Sequence, residues 1–169
     1  RIHGERAKAW EVRVGDEAAG AARLASAIDR GLFDALRACF PSSGKARLVS
    51  VQPHLMSAFN HWRSRLARDA WFLVVEPQRA CIALRSKGRW AAVRNARGEF
   101  DDAAAWVDLL ERERYRVEVD APDEVAVFAP RQTAFPAAGR WKFTGLKVPP
   151  ADGPAATDLA RFALALSAR

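Results

Sequence analysis

The chain has 169 residues, 50% of them apolar and 28% charged, with a net charge of +7. That balance belongs to a globular protein with a real core, in one domain or two small subdomains, and excludes a disordered tail. No apolar run approaches the roughly 20 residues that span a bilayer, the longest being Ala70 to Val75 and Phe162 to Leu166, so no membrane insertion is expected.

The opening residues, Arg1 to Arg6, are polar and hold no apolar signal segment. There is no starting Met, as in a fragment or a trimmed chain. Trp10 to Val14 alternates apolar and polar and predicts a strand, followed by a turn bracketed by Gly15 and Gly20. Leu24, Ile28, Leu32, Leu36 and Phe40 recur every four residues, the spacing of one helix face, with Gly31 as a point of weakness. Pro41-Ser42-Ser43-Gly44 stops that helix. Arg47 to Val51 predicts the next strand. Pro53 then heads a helix over 53–67 whose stripe of Leu55, Met56, Phe59, Trp62 and Leu66 reads as core.

Three strands follow: Trp71 to Glu76, Arg79 to Arg85 and Arg89 to Arg94. The linkers Pro77-Gln78 and Ser86-Lys87-Gly88 are short enough for hairpins, so the three form an antiparallel meander. Asp101 or Asp102 caps a helix over 101–113. Val117 to Val119 is weakly strand-like, and Glu124 to Phe128 more clearly so. Pro130 to Gly139 is loop, Trp141 to Val148 an edge strand, Pro149 to Pro154 a linker, and 156–168 a last helix.

Chemistry-bearing residues are sparse. Cys39 and Cys81 read as two buried, reduced thiols, their separation being beyond what sequence can set. Neither has a second cysteine at metal-ligand spacing. His54 and His61 share a helix face but stand two turns apart, too far for joint metal binding, and His3 sits in a terminus. Asp101-Asp102, and Asp120 with Asp123, are acid pairs able to hold a metal, but each also sits where a helix cap or a turn favours Asp, which is the reading preferred. No Gly-x-Ser-x-Gly, Walker A or Gly-x-Gly-x-x-Gly pattern occurs. The densest basic cluster is Arg63, Arg65 and Arg68, expected on one helix. It reads first as a solvated face and, as the alternative, as a nucleic-acid-binding surface.

The order of these elements carries a resemblance. Residues 10 to 68 read strand, helix, strand, helix; a three-stranded meander, a helix, a strand and a final helix follow. The local match is strongest in Trp71-Phe72-Leu73-Val74-Val75-Glu76, Ala80-Cys81-Ile82-Ala83-Leu84 and Trp90-Ala91-Ala92-Val93-Arg94. The stretch Val49-Ser50-Val51-Gln52-Pro53, leading into the helix with Ala58 and Asn60, looks like the family's crossing between halves. In this order the chain resembles the actin-like domains of bacterial type IV pilus assembly and type II secretion proteins. The resemblance covers about residues 10 to 169, with the first half lacking its meander and the second opening at Trp71. It implies a ribonuclease H-like α/β fold with a mixed sheet, the antiparallel meander and packed helices. The whole of 1–169 is expected as a single α/β domain, with a division into two subdomains near residue 69 left open.

Nucleotide-binding members of that family place an acidic residue and a glycine at the first meander turn, with Thr or Ser just after. Here the turn is Val75-Glu76-Pro77-Gln78-Arg79, with no glycine, and Pro77 has no N–H to donate. ATP binding is therefore not expected, nor any cofactor, metal or catalytic residue. The expected function is a non-catalytic scaffold in the cytoplasm that binds a protein partner. The alternative is nucleic-acid binding through Arg63, Arg65 and Arg68.

Overall fold

The computed structural model describes residues 4–16, 23–41, 44–130, 135 and 139–147. The chain divides into two compact units, Arg1–Pro53 and His54–Arg169.

In the first unit a 3-10 turn, Gly4–Ala9, leads into strand β1 (Trp10–Val14). β1 pairs antiparallel with β2 (Ala25–Asp29), Trp10 opposite Asp29 and Val14 opposite Ala25. Helix α1 (Arg30–Ala38) follows directly. Asp29 is its N-cap, and the Leu32 N–H donates to Asp29 Oδ1 at 3.0 Å. The helix expected from Leu24 onward therefore begins six residues later, and Leu24 to Asp29 is mostly strand. A spacing of four is the source of the error, because it satisfies both a helical face and every second residue of one strand face. Pairing with β1 and the Asp29 cap decide between them. Gly31 belongs to the cap: a Cβ there would stand 3.2 Å from Asp29 Oδ1. Residues 47–51, expected as a strand, have no regular structure, and Val49 is 83% exposed. None of the described residues of this unit is buried.

The second unit is a three-layer sandwich. Its elements are α2 (His54–Trp62), β3 (Ala70–Glu76), β4 (Arg79–Ser86), β5 (Arg89–Arg97), α3 (Ala103–Arg114), β6 (Glu124–Phe128) and β7 (Lys142–Gly145). The five strands lie in the order β5-β4-β3-β6-β7. β3, β4 and β5 pair antiparallel, while β6 runs parallel to β3 and β7 parallel to β6. This mixed sheet, a meander extended on one side by parallel strands, has the ribonuclease H-like order to which actin-like domains belong, as expected from the sequence.

β3 is the central strand and is covered on both faces, which is why Ala70 to Val75 is continuously apolar. Trp71, Leu73 and Val75 face α3, together with Ile82, Leu84, Val125 and Val127. Phe72 and Val74 face α2, with Ala83, Phe128 and Trp62. Asp102 caps α3 by accepting from the Ala104 N–H at 3.0 Å. Inside the α3 layer, Trp106 Nε1 donates to the Phe100 carbonyl at 2.7 Å, so its polar atom is satisfied.

Several expectations change. α2 ends at Trp62, so Arg63, Arg65 and Arg68 lie beyond the helix. Residues 117–119 form no strand. Cys39 is exposed and Cys81 half-buried; both are free thiols. The expected final helix, 156–168, lies outside the described residues, as do much of 130–139 and the linker from Pro149. No helix among the described residues is long and apolar enough to cross a membrane.

Candidate functional site

The end of β3 that leads into the first meander turn is the natural place to look for a ligand, because the sequence resemblance puts phosphate there in nucleotide-binding proteins. Glu76 ends β3 and Arg79 opens β4, and the two are cross-strand partners. Glu76 Oε2 lies 3.7 Å from Arg79 Nε. Its other oxygen lies 3.7 Å from His54 Nδ1, a contact that becomes an ion pair when the imidazole is protonated. His54 is the first residue of α2 and also meets the Phe128 ring edge-on, with centroids 5.8 Å apart. Its Nε2 is buried without a hydrogen-bond partner.

This cluster answers its own charges. The carboxylate takes a guanidinium on one side and an imidazole on the other. The connection holds Pro77, which offers no N–H, and the Gln78 carbonyl accepts from the Gly98 N–H at 3.2 Å. A phosphate cradle needs several backbone donors converging on one point. The nearby thiol is a poor nucleophile: burial first, and the Glu76 charge second, push Cys81 up to about 11. From Ala70 to Val75 in β3 and from Val125 to Phe128 in β6, every side chain is apolar.

At the opposite end of β3 the chain is held by Arg85. Its Nη1 donates to the Ala67 carbonyl at 2.7 Å and its Nη2 to the Gly88 carbonyl at 3.3 Å. The guanidinium also lies 5.1 Å from the centroid of the Phe59 ring. Partial burial holds its pKa below the ordinary arginine value; Asp69 opposes that shift and Arg68 adds to it. Asp69 Oδ1 in turn accepts from the Lys87 N–H at 2.7 Å. An open groove of about 710 Å³ lies here, lined by Asp69, Lys87, Trp90, Val119 and Asp120 among others.

Arg63, Arg65 and Arg68 are exposed in the turn and bends between α2 and β3 and do not share a helix face. Asp123 accepts from Arg114 Nη1 at 3.0 Å and is engaged in holding α3 to the start of β6. Asp102 is occupied as a cap. His61 stacks edge-on with Trp62 on α2, at 4.7 Å between centroids. Among the described residues, no group of three His, Cys, Asp or Glu side chains is placed to hold a metal ion.

Two features escaped the sequence. One is the meeting of His54 with Glu76, which depends on α2 packing across β3 and β6. The other is the position of β5 at the edge of the sheet. Its signal was present in the basic, acid-free composition of Arg89 to Arg97.

No known family profile matches the chain, and no curated protein matches it. Among solved structures, it is similar to a protein of unknown function with an actin-like ATPase fold from Bacteroides thetaiotaomicron VPI-5482. The identity is 15% and the TM-score 0.46; the match covers 75% of this chain and 47% of that one. The chain thus matches less than half the length of that structure.

Proposed function

We propose that this chain is a non-catalytic protein-interaction domain, a scaffold element of an envelope-assembly machine of the pilus or secretion kind. The observation that carries the reading is the first meander turn. Glu76 is engaged by its own neighbours Arg79 and His54, and Pro77 stands where a backbone donor would be needed. The class of machine rests on the order of elements read from the sequence.

The test is calorimetric titration of the full chain with Mg-ATP at physiological salt. We expect no saturable heat. Micromolar, saturable binding would overturn the reading. So would tight, steeply salt-dependent binding to DNA or RNA that is lost when Arg63, Arg65 and Arg68 are replaced by Ala, because it would make the chain a nucleic-acid binder.

A further inference from the structure

β5 is an edge strand. Among the described residues its ladder neighbour is β4 alone, and at nine residues it is long for an edge. Proteins commonly blunt such edges with short strands, charges or a bulge. Here the ladder slips once, between Leu84 and Arg85, leaving Ala91 unpaired. Beyond that slip, Ala92 to Arg97 runs in unbroken register with Leu84 to Arg79.

Residues of an antiparallel pair alternate between those that bond the neighbour and those whose N–H and C=O point away. The Gly98 N–H bonds the Gln78 carbonyl, one step past the Arg97–Arg79 pair. The alternation therefore turns Ala92, Arg94 and Ala96 toward β4, and Val93, Asn95 and Arg97 outward. Arg94 agrees with this: its guanidinium donates to the Val93 carbonyl at 2.9 Å, capping an acceptor that no strand has taken.

The charge of the edge is one-sided. β5 carries Arg89, Arg94 and Arg97 and no acid, and all three are exposed. None forms an ion pair with a described residue. Arg97 stands directly opposite Arg79, a like-charge pair that a sheet disfavours. The pairing sets Arg89 and Arg94 on the α3 face and Arg97 on the α2 face. Complementarity then asks for carboxylates on both faces of an added strand.

We propose that β5 is a docking edge that takes an extended acidic segment of a partner protein as a sixth strand. The main-chain bonds come from Val93, Asn95 and Arg97, and the selectivity comes from the three arginines. A second copy of this chain is the wrong occupant, because pairing β5 on itself brings arginines together with no carboxylate to relieve them. This inference rests on the reading of the chain as an interaction domain and names the chemistry of its partner.

The experiment uses the full chain and a synthetic extended peptide of Val and Thr, matched to the length of β5, with Glu at both odd and even positions so that carboxylates lie on both of its faces; the control peptide has Lys for Glu. We expect saturable binding of the acidic peptide, weakening as salt rises toward about 0.15 M. Hydrogen exchange should slow at the amides of Val93, Asn95 and Arg97. Arg94→Glu with Arg97→Glu should weaken binding about tenfold or more. Asn95→Pro removes an outward N–H and no charge, and proline is tolerated on an edge; it should weaken binding comparably with the melting curve little changed. Undiminished binding by Asn95→Pro, or exchange protection elsewhere than β5, would replace strand addition with plain charge attraction and overturn the proposal. Absence of saturable binding also overturns it, without touching the nucleotide result on which the broader reading is tested.

Discussion

Arg85 donates a 2.7 Å hydrogen bond to the carbonyl of Ala67, tying β4 to the connection that follows α2. The same guanidinium bonds the Gly88 carbonyl in the next hairpin and lies over the Phe59 ring of α2. One side chain thus joins a helix, a connection and a turn at the end of the sheet remote from Glu76. Replacing Arg85 with Ala should cost about 1–2 kcal/mol, since it takes a charged donor from the exposed Ala67 carbonyl and the part-buried Gly88 carbonyl. Lysine should recover little, because a compact ammonium has no separated Nη1 and Nη2 to serve the two carbonyls and no plane to lie flat on the ring. Urea melts of the two variants check this.

Two buried indoles differ in one respect. Trp106 Nε1 bonds the Phe100 carbonyl, whereas Trp71 Nε1 is buried with no acceptor. Phenylalanine at either site removes similar volume. At Trp106 it also strands a carbonyl, and at Trp71 it removes a donor that was already stranded. Trp106→Phe should therefore destabilise by about 1 kcal/mol more than Trp71→Phe. Equal losses in denaturant melts would contradict this account of the α3 layer.

The two thiols should behave differently. Cys39 is exposed and should react with a thiol reagent at once; half-buried Cys81 should react far more slowly until the chain unfolds. Burial and the Glu76 charge raise the Cys81 pKa from 9.0 in the open chain to about 11 in the folded one. The neutral thiol's contribution to stability is therefore whole below about pH 9 and is lost as pH climbs toward 11. Over that window the wild type should lose stability more steeply than Cys81→Ala. Parallel curves would show that the thiol is not held protonated.

The β4–β5 turn holds Lys87 at φ 53° and Gly88 at φ 79°. Two successive positive φ values make this the hairpin turn that favours Asn-Gly. Lys87→Asn should stabilise by about 0.5–1 kcal/mol, because Asn visits this region more readily than Lys. The bond from the residue 87 N–H to Asp69 is kept, being a backbone bond. Gly88→Ala should cost about 1 kcal/mol. Thermal melts decide both.

The meander could be read directly from the chain. Ala70 to Val75 is an apolar run of strand length, and the two connections after it are too short for anything but hairpins. α3 was equally plain, from its Asp cap and the spacing of Trp106, Leu109 and Leu110. These signals are local: a turn, a cap and a periodicity each depend on residues a few positions apart. Composition likewise sufficed to show a globular chain with no phosphate-loop motif.

Tertiary structure decided the rest. Ile28 sits at a spacing from Leu24 and Leu32 that suits helix and strand alike, and only pairing with β1 put it in a strand. Arg63 and Arg65 follow α2 without a breaker, yet the helix stops at Trp62, and, five residues on, Arg85 bonds the Ala67 carbonyl of the connection to β3. His54 meets Glu76 because α2 crosses the sheet there, and β5 is an edge because, among the described residues, only β4 pairs with it. Which strand lies beside which, and where a helix must end to let the chain reach the sheet, are set by burying apolar surface between segments far apart in sequence. No window of neighbouring residues contains that information.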